Sequence, residues 1–599
     1  MPLTREKKAQ PLADSQWIRV ATLTELQAEG RLTVPVKHNV VALFEHNGQV
    51  YAVDNRCPHM GFPLDKGTVN DGILTCHWHH ARFDLGSGGT FDLWADDVRS
   101  FPVKIEDGDI WVDVTTPGNA RERQHKRLKD GLERNIRLVI AKSVLGLMHD
   151  GDQEAARTPF ALGLDYGARN RQDGWSTGQT ISTVMMNLMP YLDADDRPRA
   201  LYTGLTAIGR DCAGQPARFA VDPLPHIATD LPTLKRWFRQ FIEVRDTEGA
   251  ERCLVSAIRA GHSPVAIADM LFAAATDHRY LDGGHVLDFT NKAFEALDWA
   301  GWDAAEVTLA SLLPTFTGGQ RMEETNEWRH PVNLVATLDD AFEKIPLALE
   351  QGRGRSWHIP TAWPDLLPTL LGDDPQAISD SLLHALEQGA TCEELAQTVV
   401  YTAIRRVVQF HMSNEFGDWN TVHHTFTFAN AVHQAMRRSP SPELLRGVWD
   451  AAMSVYLERF LNIPATKVPQ PTAAEVTGAQ PDTMLEELLN LFNHQQQVNQ
   501  AGALVARYLA SGAVPARLIT TLGQGLLRED AGFHPIQSLE AAVRQYQMLA
   551  ARRDLAPYAP HALVAAARYL AAHAPTPRAA NQTYMIAVRL NRGENVFAE

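Results

Sequence analysis

The chain has 599 residues, 45% hydrophobic and 21% charged, which allows several domains and excludes a mini-protein held together by crosslinks. Lys and Arg total 56 against 71 Asp and Glu, a net charge of -15, and this argues against nucleic acid or an anionic membrane as the main partner, because both repel an acidic surface. Five cysteines, at 57, 76, 212, 253 and 392, are too few and too unevenly placed for a disulfide framework; their odd number fits a reducing compartment, so the cytoplasm is the expected location.

The opening stretch MPLTREKKAQPLADSQW has basic residues but neither the apolar core nor the cleavage site of a secretory signal. From Trp17 to about Val114 the chain reads as short extended runs, VPVKHNVVALFEHN, QVYAVDNR, GILTCHW and DIWVDV, separated by Asn-Gly, Asp-Gly and Gly-rich turns. A small all-β domain is expected over residues 1–116. TTPGNA then breaks the pattern, and a basic linker or helix is expected over 117–140, able to dock or space what precedes it. The apolar stretch from Ile136 to Met148 is interrupted by Arg137 and Lys142 and is too short to cross a bilayer, so no membrane span is expected.

From 141 to 599 apolar residues recur at intervals of three and four, which predicts a large, mostly α-helical domain. Stretches rich in Pro and Thr near 313–320, 357–377 and 464–481 read as long loops or joints. Internal repeats stand near 253–298, 381–436 and 502–549, each reading helix, glycine, helix, irregular piece, helix. Gly261, Gly389 and Gly512 fall where a helix should stop and admit the left-handed backbone of a C-cap. One compact helical domain is expected to hold all three copies.

Within the β domain stand Cys57-Pro58-His59 and, 16 residues on, Cys76-His77-Trp78-His79, the pattern Cys-x-His, x16, Cys-x2-His. Two thiolates and two imidazoles in paired motifs could serve zinc, but their place on loops between extended runs favours a [2Fe-2S] centre with sulfur on one iron and nitrogen on the other. CPHMGFPLDKGTVNDGILTCHWHHARFDLGSGG resembles the Rieske [2Fe-2S] ferredoxin-like family over residues 17–114. The resemblance implies Cys57 and Cys76 on one iron and His59 and His79 on the other, with backbone amides near Met60, Gly61 and Trp78 donating to the sulfurs. The extra cysteine pair of the respiratory branch is absent, so the chain looks like the ferredoxin or oxygenase-associated branch.

Ring-hydroxylating oxygenases of that branch follow the cluster domain with an α/β catalytic domain; that texture is missing here. The helical copies are instead faintly similar to carboxymuconolactone decarboxylase and alkylhydroperoxidase-like units, without their Cys-x-x-Cys. The best raw material for a second redox site is the 23 histidines. Aligning the copies on Asn291 and Asn430 brings His285, His424 and His534 near one position. With His278, His411 and Glu529 at preceding helix ends they could hold a second iron, non-haem rather than haem. Capping or interface roles in each copy are the competing explanation. Phe410, Phe416, Trp419, Phe426 and Phe428 could line an apolar pocket or fill a core.

The expected function is an iron-dependent oxygenase or oxidase in which the Rieske cluster relays electrons to the helical domain, acting on a small hydrophobic or aromatic molecule. No nucleotide-binding motif appears, so an NAD(P)H-dependent reductase or ferredoxin is the expected electron donor. The alternative is a ferredoxin-like electron-transfer protein whose helical domain only binds a partner.

Overall fold

The computed structural model describes residues 16–37, 39–92, 94–115, 120–148, 151–225, 230–478, 480–592 and 594. The chain divides into two compact units, Met1–Asp150 with Gln582–Glu599, and Gly151–Asn581.

In the first unit the strands are β1 (Trp17–Thr22), β2 (Arg31–Val36), β3 (Asn39–His46), β4 (Gln49–Asp54), β5 (Thr68–Asn70), β6 (Ile73–Thr75), β7 (Arg82–Asp84), β8 (Ser100–Phe101), β9 (Val103–Glu106) and β10 (Asp109–Asp113), with the short helix α1 (Leu23–Glu29) between β1 and β2. They form three antiparallel sheets, ordered β1-β10-β9, β2-β3-β4-β8 and β5-β6-β7. Three hairpins are closed by the turn signals in the sequence: Asn47-Gly48, Asp71-Gly72 and Asp107-Gly108 all have positive φ at both residues. That is the two-residue geometry whose twist matches the flanking strands. Alternation then sets the faces, as in β10, where Ile110 and Val112 are buried between half-exposed neighbours. One core is built on Val41, Leu43, Ile110 and Val112; the other joins Leu74 and Phe83 of the small sheet to Ala42, Phe44 and Val53.

The segment expected as a basic linker or helix over 117–140 folds as two helices, α2 (Ala120–Glu133) and α3 (Arg137–Leu147), and both belong to the first unit. The division therefore falls at 150/151 rather than near 116 or 140. Leu128, Leu132, Val139, Ile140 and Val144 are buried, so the pair packs by an apolar stripe and shows its charges elsewhere. The break at 116–119 lies outside the described residues.

The second unit is helical. Three stretches carry the same order of helices: Thr247–Arg259, Pro264–Ala275 and His285–Ala300; Pro375–Glu387, Cys392–Val408 and Phe416–Arg438; Val498–Ala510, Pro515–Leu527 and Phe533–Ala551. Gly261, Gly389 and Gly512 have φ of 78°, 98° and 75°, the left-handed stop expected of them. The last helix of the first stretch packs on that of the second, and that of the second on that of the third. These helices are buried on most faces and carry charge inside. Lys292 Nζ stands 2.9 Å from Glu295 and 2.7 Å from Glu540, and Arg544 reaches Glu540 at 3.0 Å.

Of the Pro- and Thr-rich stretches, 357–377 is not a loop: it folds as the helix Ile359–Leu370 and the start of Pro375–Glu387. Pro360, Pro364 and Pro368 recur every four residues, so their missing donors fall on one side of the helix, while Trp363 and Leu367 are buried. Leu313–Gly318 is likewise a short helix. No described helix is long and apolar enough to cross a membrane.

Candidate functional site

The loops that hold the two cysteine motifs are the same turn built twice. Cys57 N donates to Phe62 O at 2.9 Å and Cys76 N donates to Ala81 O at 2.8 Å. The fourth residue after each cysteine has positive φ, Gly61 at 82° and His80 at 62°. A left-handed residue there lets the chain double back within five residues; glycine does so freely, whereas His80 does so against its own Cβ. The first loop leaves the end of β4 and the second joins β6 to β7, so the small sheet sets their spacing.

Both cysteines are buried, and their thiols hydrogen-bond to one another. That bond, with burial adding to it, raises the pKa of Cys57, and the same bond lowers Cys76 to about 6. The amides of His59 and Met60 point at the Cys57 sulfur, and those of Trp78 and His79 at the Cys76 sulfur. Met60 and Trp78 thus donate as the resemblance implied, while the Gly61 amide is spent on the Cys57 carbonyl at 2.6 Å.

The His59 and His79 rings meet edge to face at 4.7 Å. His59 is half-buried, with Trp94 on another side at 4.9 Å, and burial pushes its pKa down to about 4. Its Nδ1 is buried without a hydrogen-bond partner among the described residues. A neutral imidazole nitrogen left that way costs about 1–3 kcal/mol unless something takes its lone pair. His79 is exposed, and Trp78 stacks on it at 4.5 Å. Among the described residues no three or more His, Cys, Asp or Glu side chains close around one ion position. The four donors stand instead as two pairs, thiol to thiol and imidazole to imidazole. That division, the amides on the sulfurs and the orphaned His59 nitrogen fit a two-iron group with sulfur on one side and nitrogen on the other better than a single zinc.

Helices α2 and α3 brace these loops. Lys142 Nζ donates to Pro58 O beside the first cysteine; burial, then the Arg127 charge, lowers its pKa to about 7. Arg134 donates to the carbonyls of Asp92 and Ala95 at 3.3 and 3.2 Å, and Arg127 pairs with Asp96. The basic segment thus meets the stretch around Asp92–Asp96 through one carboxylate and two backbone carbonyls.

A small β domain with two like turns carrying Cys-x-His and Cys-x2-His is a Rieske-type electron-transfer module. The chain belongs to the Rieske [2Fe-2S] family through residues 16–102, which match that family, and the domain binds a [2Fe-2S] cluster. A 3-phenylpropionate/cinnamic acid dioxygenase ferredoxin subunit of Photorhabdus laumondii is 34% identical over 98 residues, 16% of this chain and 92% of that protein. Apoptosis-inducing factor 3 of Homo sapiens is 28% identical over 184 residues, 31% of this chain; the chain spans only 27% of that relative's length. Among solved structures, the ferredoxin of carbazole 1,9a-dioxygenase from Nocardioides aromaticivorans IC177 is 29% identical and covers 17% of this chain and 100% of its own, with a TM-score of 0.16.

In the helical unit the structure brings His285, His424 and His534 together. The His285 and His424 rings are 4.8 Å apart, the His424 and His534 rings 4.4 Å, and the two Nε2 atoms of the latter pair 3.2 Å. Burial lowers His424 to about 3 and His534 to about 4, so both are neutral. His285 opens its helix and bonds the Asp282 carbonyl through Nδ1 at 2.7 Å, leaving Nε2 for the group. The other candidates do not join them. His278 stands between Glu323 at 2.8 Å and Glu243 at 3.2 Å, His411 bonds Ser413 at 2.7 Å, and Glu529 is held by Thr576 and Arg578.

Two histidines outside that set lie beside it. His423 is buried with both ring nitrogens unpartnered among the described residues and stacks on Tyr569 at 3.3 Å; His573 packs on the other side of that ring system at 4.1 Å. His573 sits near the chain's end outside the repeated stretches, so alignment of the copies could not find it. Phe410, Trp419, Phe426 and Phe428 are buried in the core and do not line the nearby cavity, whose walls come from Tyr280, Trp328 and Tyr456. The Phe416 side chain is outside the described set.

Proposed function

We propose that Cys57 and Cys76 hold one iron and His59 and His79 the other, and that the domain feeds electrons to a second metal site at His285, His424 and His534. A [2Fe-2S] cluster supplies one electron at a time at a higher potential than an all-cysteine cluster. The chain is then an iron-dependent oxygenase or oxidase acting on a small hydrophobic or aromatic molecule, with a separate reductase or ferredoxin as donor. The dioxygenase ferredoxin among its relatives supports this setting. The observation that carries the reading is the meeting of three imidazoles from three different helices, with His285 against His424 and His424 against His534.

Iron analysis of anaerobically purified protein tests it. More than two irons per chain are expected, with the excess lost in His424→Ala and in His534→Ala while the visible spectrum of the cluster stays. Two irons per chain, unchanged by either substitution, sink the proposal. The second reading is an electron-transfer module with a helical interaction domain and no catalysis. It is favoured by the direct 3.2 Å contact of His424 with His534, which a hydrogen bond between neutral imidazoles explains without a metal.

A further inference from the structure

Beside His424 lies a cavity of about 450 Å³, within the range of small-molecule sites. Its walls are largely apolar, with aromatic rings among them. Tyr280 stacks over Trp328 at 6.0 Å and 24°, and Tyr456 and Phe460 stand at another side. Two acids border it, Glu327 and Glu458, and Glu458 is the buried one, 3% exposed. Its Oε1 accepts from the Thr425 hydroxyl, while Oε2 is buried with no partner among the described residues.

The nearest cation, Arg406, acts on Glu458 through its charge without forming an ion pair with it among the described residues. Arg406 donates to the Val455 carbonyl at 3.1 Å. Arg459 lies over the Tyr456 and Phe460 rings at 3.7 and 3.9 Å and donates to the Tyr456 carbonyl. Among the described residues neither pairs with Glu458. A carboxyl buried in such a wall with no ion pair is neutral where the cost of burying its charge outweighs the Thr425 hydrogen bond and the Arg406 charge that favour ionisation. Burial accordingly raises its pKa to about 8. In that form the carboxyl is a hydrogen-bond donor as well as an acceptor.

We propose that this cavity binds an uncharged, mainly apolar ring molecule bearing one hydrogen-bond acceptor, which takes a hydrogen bond from the Glu458 carboxyl. The apolar walls select the ring system, and the buried, unpartnered Glu458 Oε2 fixes its orientation. The inference rests on the reading above only in treating the ligand as the substrate; binding itself needs neither reductant nor a second metal.

Two probes of like shape decide it, 2-acetonaphthone with an acceptor and 2-ethylnaphthalene without, titrated into the oxidised full chain and followed by tryptophan fluorescence. The ketone is expected to bind at least about ten-fold more tightly, the worth of one well-placed hydrogen bond to a buried group. Glu458→Gln, which keeps a donor, retains the preference; Glu458→Leu brings the two probes within about two-fold of each other. Equal binding by the wild type, no binding of either probe, or a preference that survives Glu458→Leu overturns the proposal. Should Glu458→Leu fail to fold, difference infrared spectra of the wild type decide: the carbonyl stretch of the bound ketone falls if it is hydrogen-bonded, and an unshifted band overturns the proposal. The expected ratio without a second iron would sink the oxygenase reading and leave this site standing; a second iron without the ratio would do the reverse.

Discussion

Lys292 is the fastener between the helices that carry His285 and His534, and its removal gives a quantitative test of how the histidine group is held. Its side chain is wholly buried and bridges Glu295 on its own helix to Glu540 on the helix Phe533–Ala551. Burial alone would raise Glu295, but Arg544 and then Lys292 more than offset it and hold its pKa at about 2. Breaking such a buried pair costs about 3–5 kcal/mol because it strands a charge. After Lys292→Met the two carboxylates still keep Arg544 and the Asn187 amide, which reaches Glu295 at 2.7 Å and Glu540 at 3.2 Å. The loss is therefore set at the lower end, about 3 kcal/mol. Adding Glu540→Gln restores charge balance and should recover about half of it. Urea unfolding of the full chain, followed by far-ultraviolet circular dichroism, measures both. A single-variant loss under about 1 kcal/mol, or a double variant that loses the sum of its parts, would refute the reasoning.

Cys57→Ala and Cys76→Ala should each abolish the visible absorption of the cluster and the paramagnetic signal of its reduced state; a surviving signal in either would show the ligand assignment to be mistaken. Gly61→Ala forces a Cβ onto a backbone with φ of 82° and should cost about 1–2 kcal/mol. His80→Gly, where relief of the same strain is offset by a looser unfolded chain, should stay within about 0.5 kcal/mol of wild type in thermal melts. The helical unit should be most stable near neutral pH. Burial holds the folded pKa values of His423, His424, His433, His534, His561 and His573 below the ordinary 6.5, so the unfolded chain takes up more protons there and stability falls as pH drops from about 6.5 towards 4. Asp288, Asp450 and Glu458 oppose this, being raised by burial to about 7, 6 and 8. Their contribution is full below the unfolded pKa and is lost as pH rises, but the histidines outnumber them. A urea midpoint that peaks at pH 5 would contradict the balance.

The β domain and its ligand motif were legible because their signals are local: two-residue turns, alternation and cysteine spacing each act within a few residues. His80 in a left-handed backbone was not, since nothing in CHWHH marks that position as glycine does in CPHMG. The α2–α3 pair reads from sequence as a basic segment able either to dock or to stay solvated, because its charges are dense; only the fold shows that Arg127 and Arg134 contact residues 92–96 and that the apolar stripe is covered. The meeting of His285, His424 and His534 was readable by aligning stretches of like pattern, because equivalent positions of helices that pack together come close in space. His278 and Glu529 failed the same test because each had a nearer charged partner. Glu458 has no periodic or motif signature at all. A lone acid in SVYLERFLN becomes notable only when its neighbours prove to be a cavity wall.

The tip of the β domain carries one further consequence. Trp78 and His79 are exposed together, with Trp94 and Phe91 also open to solvent, while the His59 side is screened by Trp94 and the Cys57 loop is braced by Lys142. If iron sits where proposed, the exposed His79 edge is a short window through which a donor loads the cluster, one electron at a time. Any chemistry that consumes two electrons would then need two separate visits to that window. Its pace would be governed by how fast the visitors exchange places.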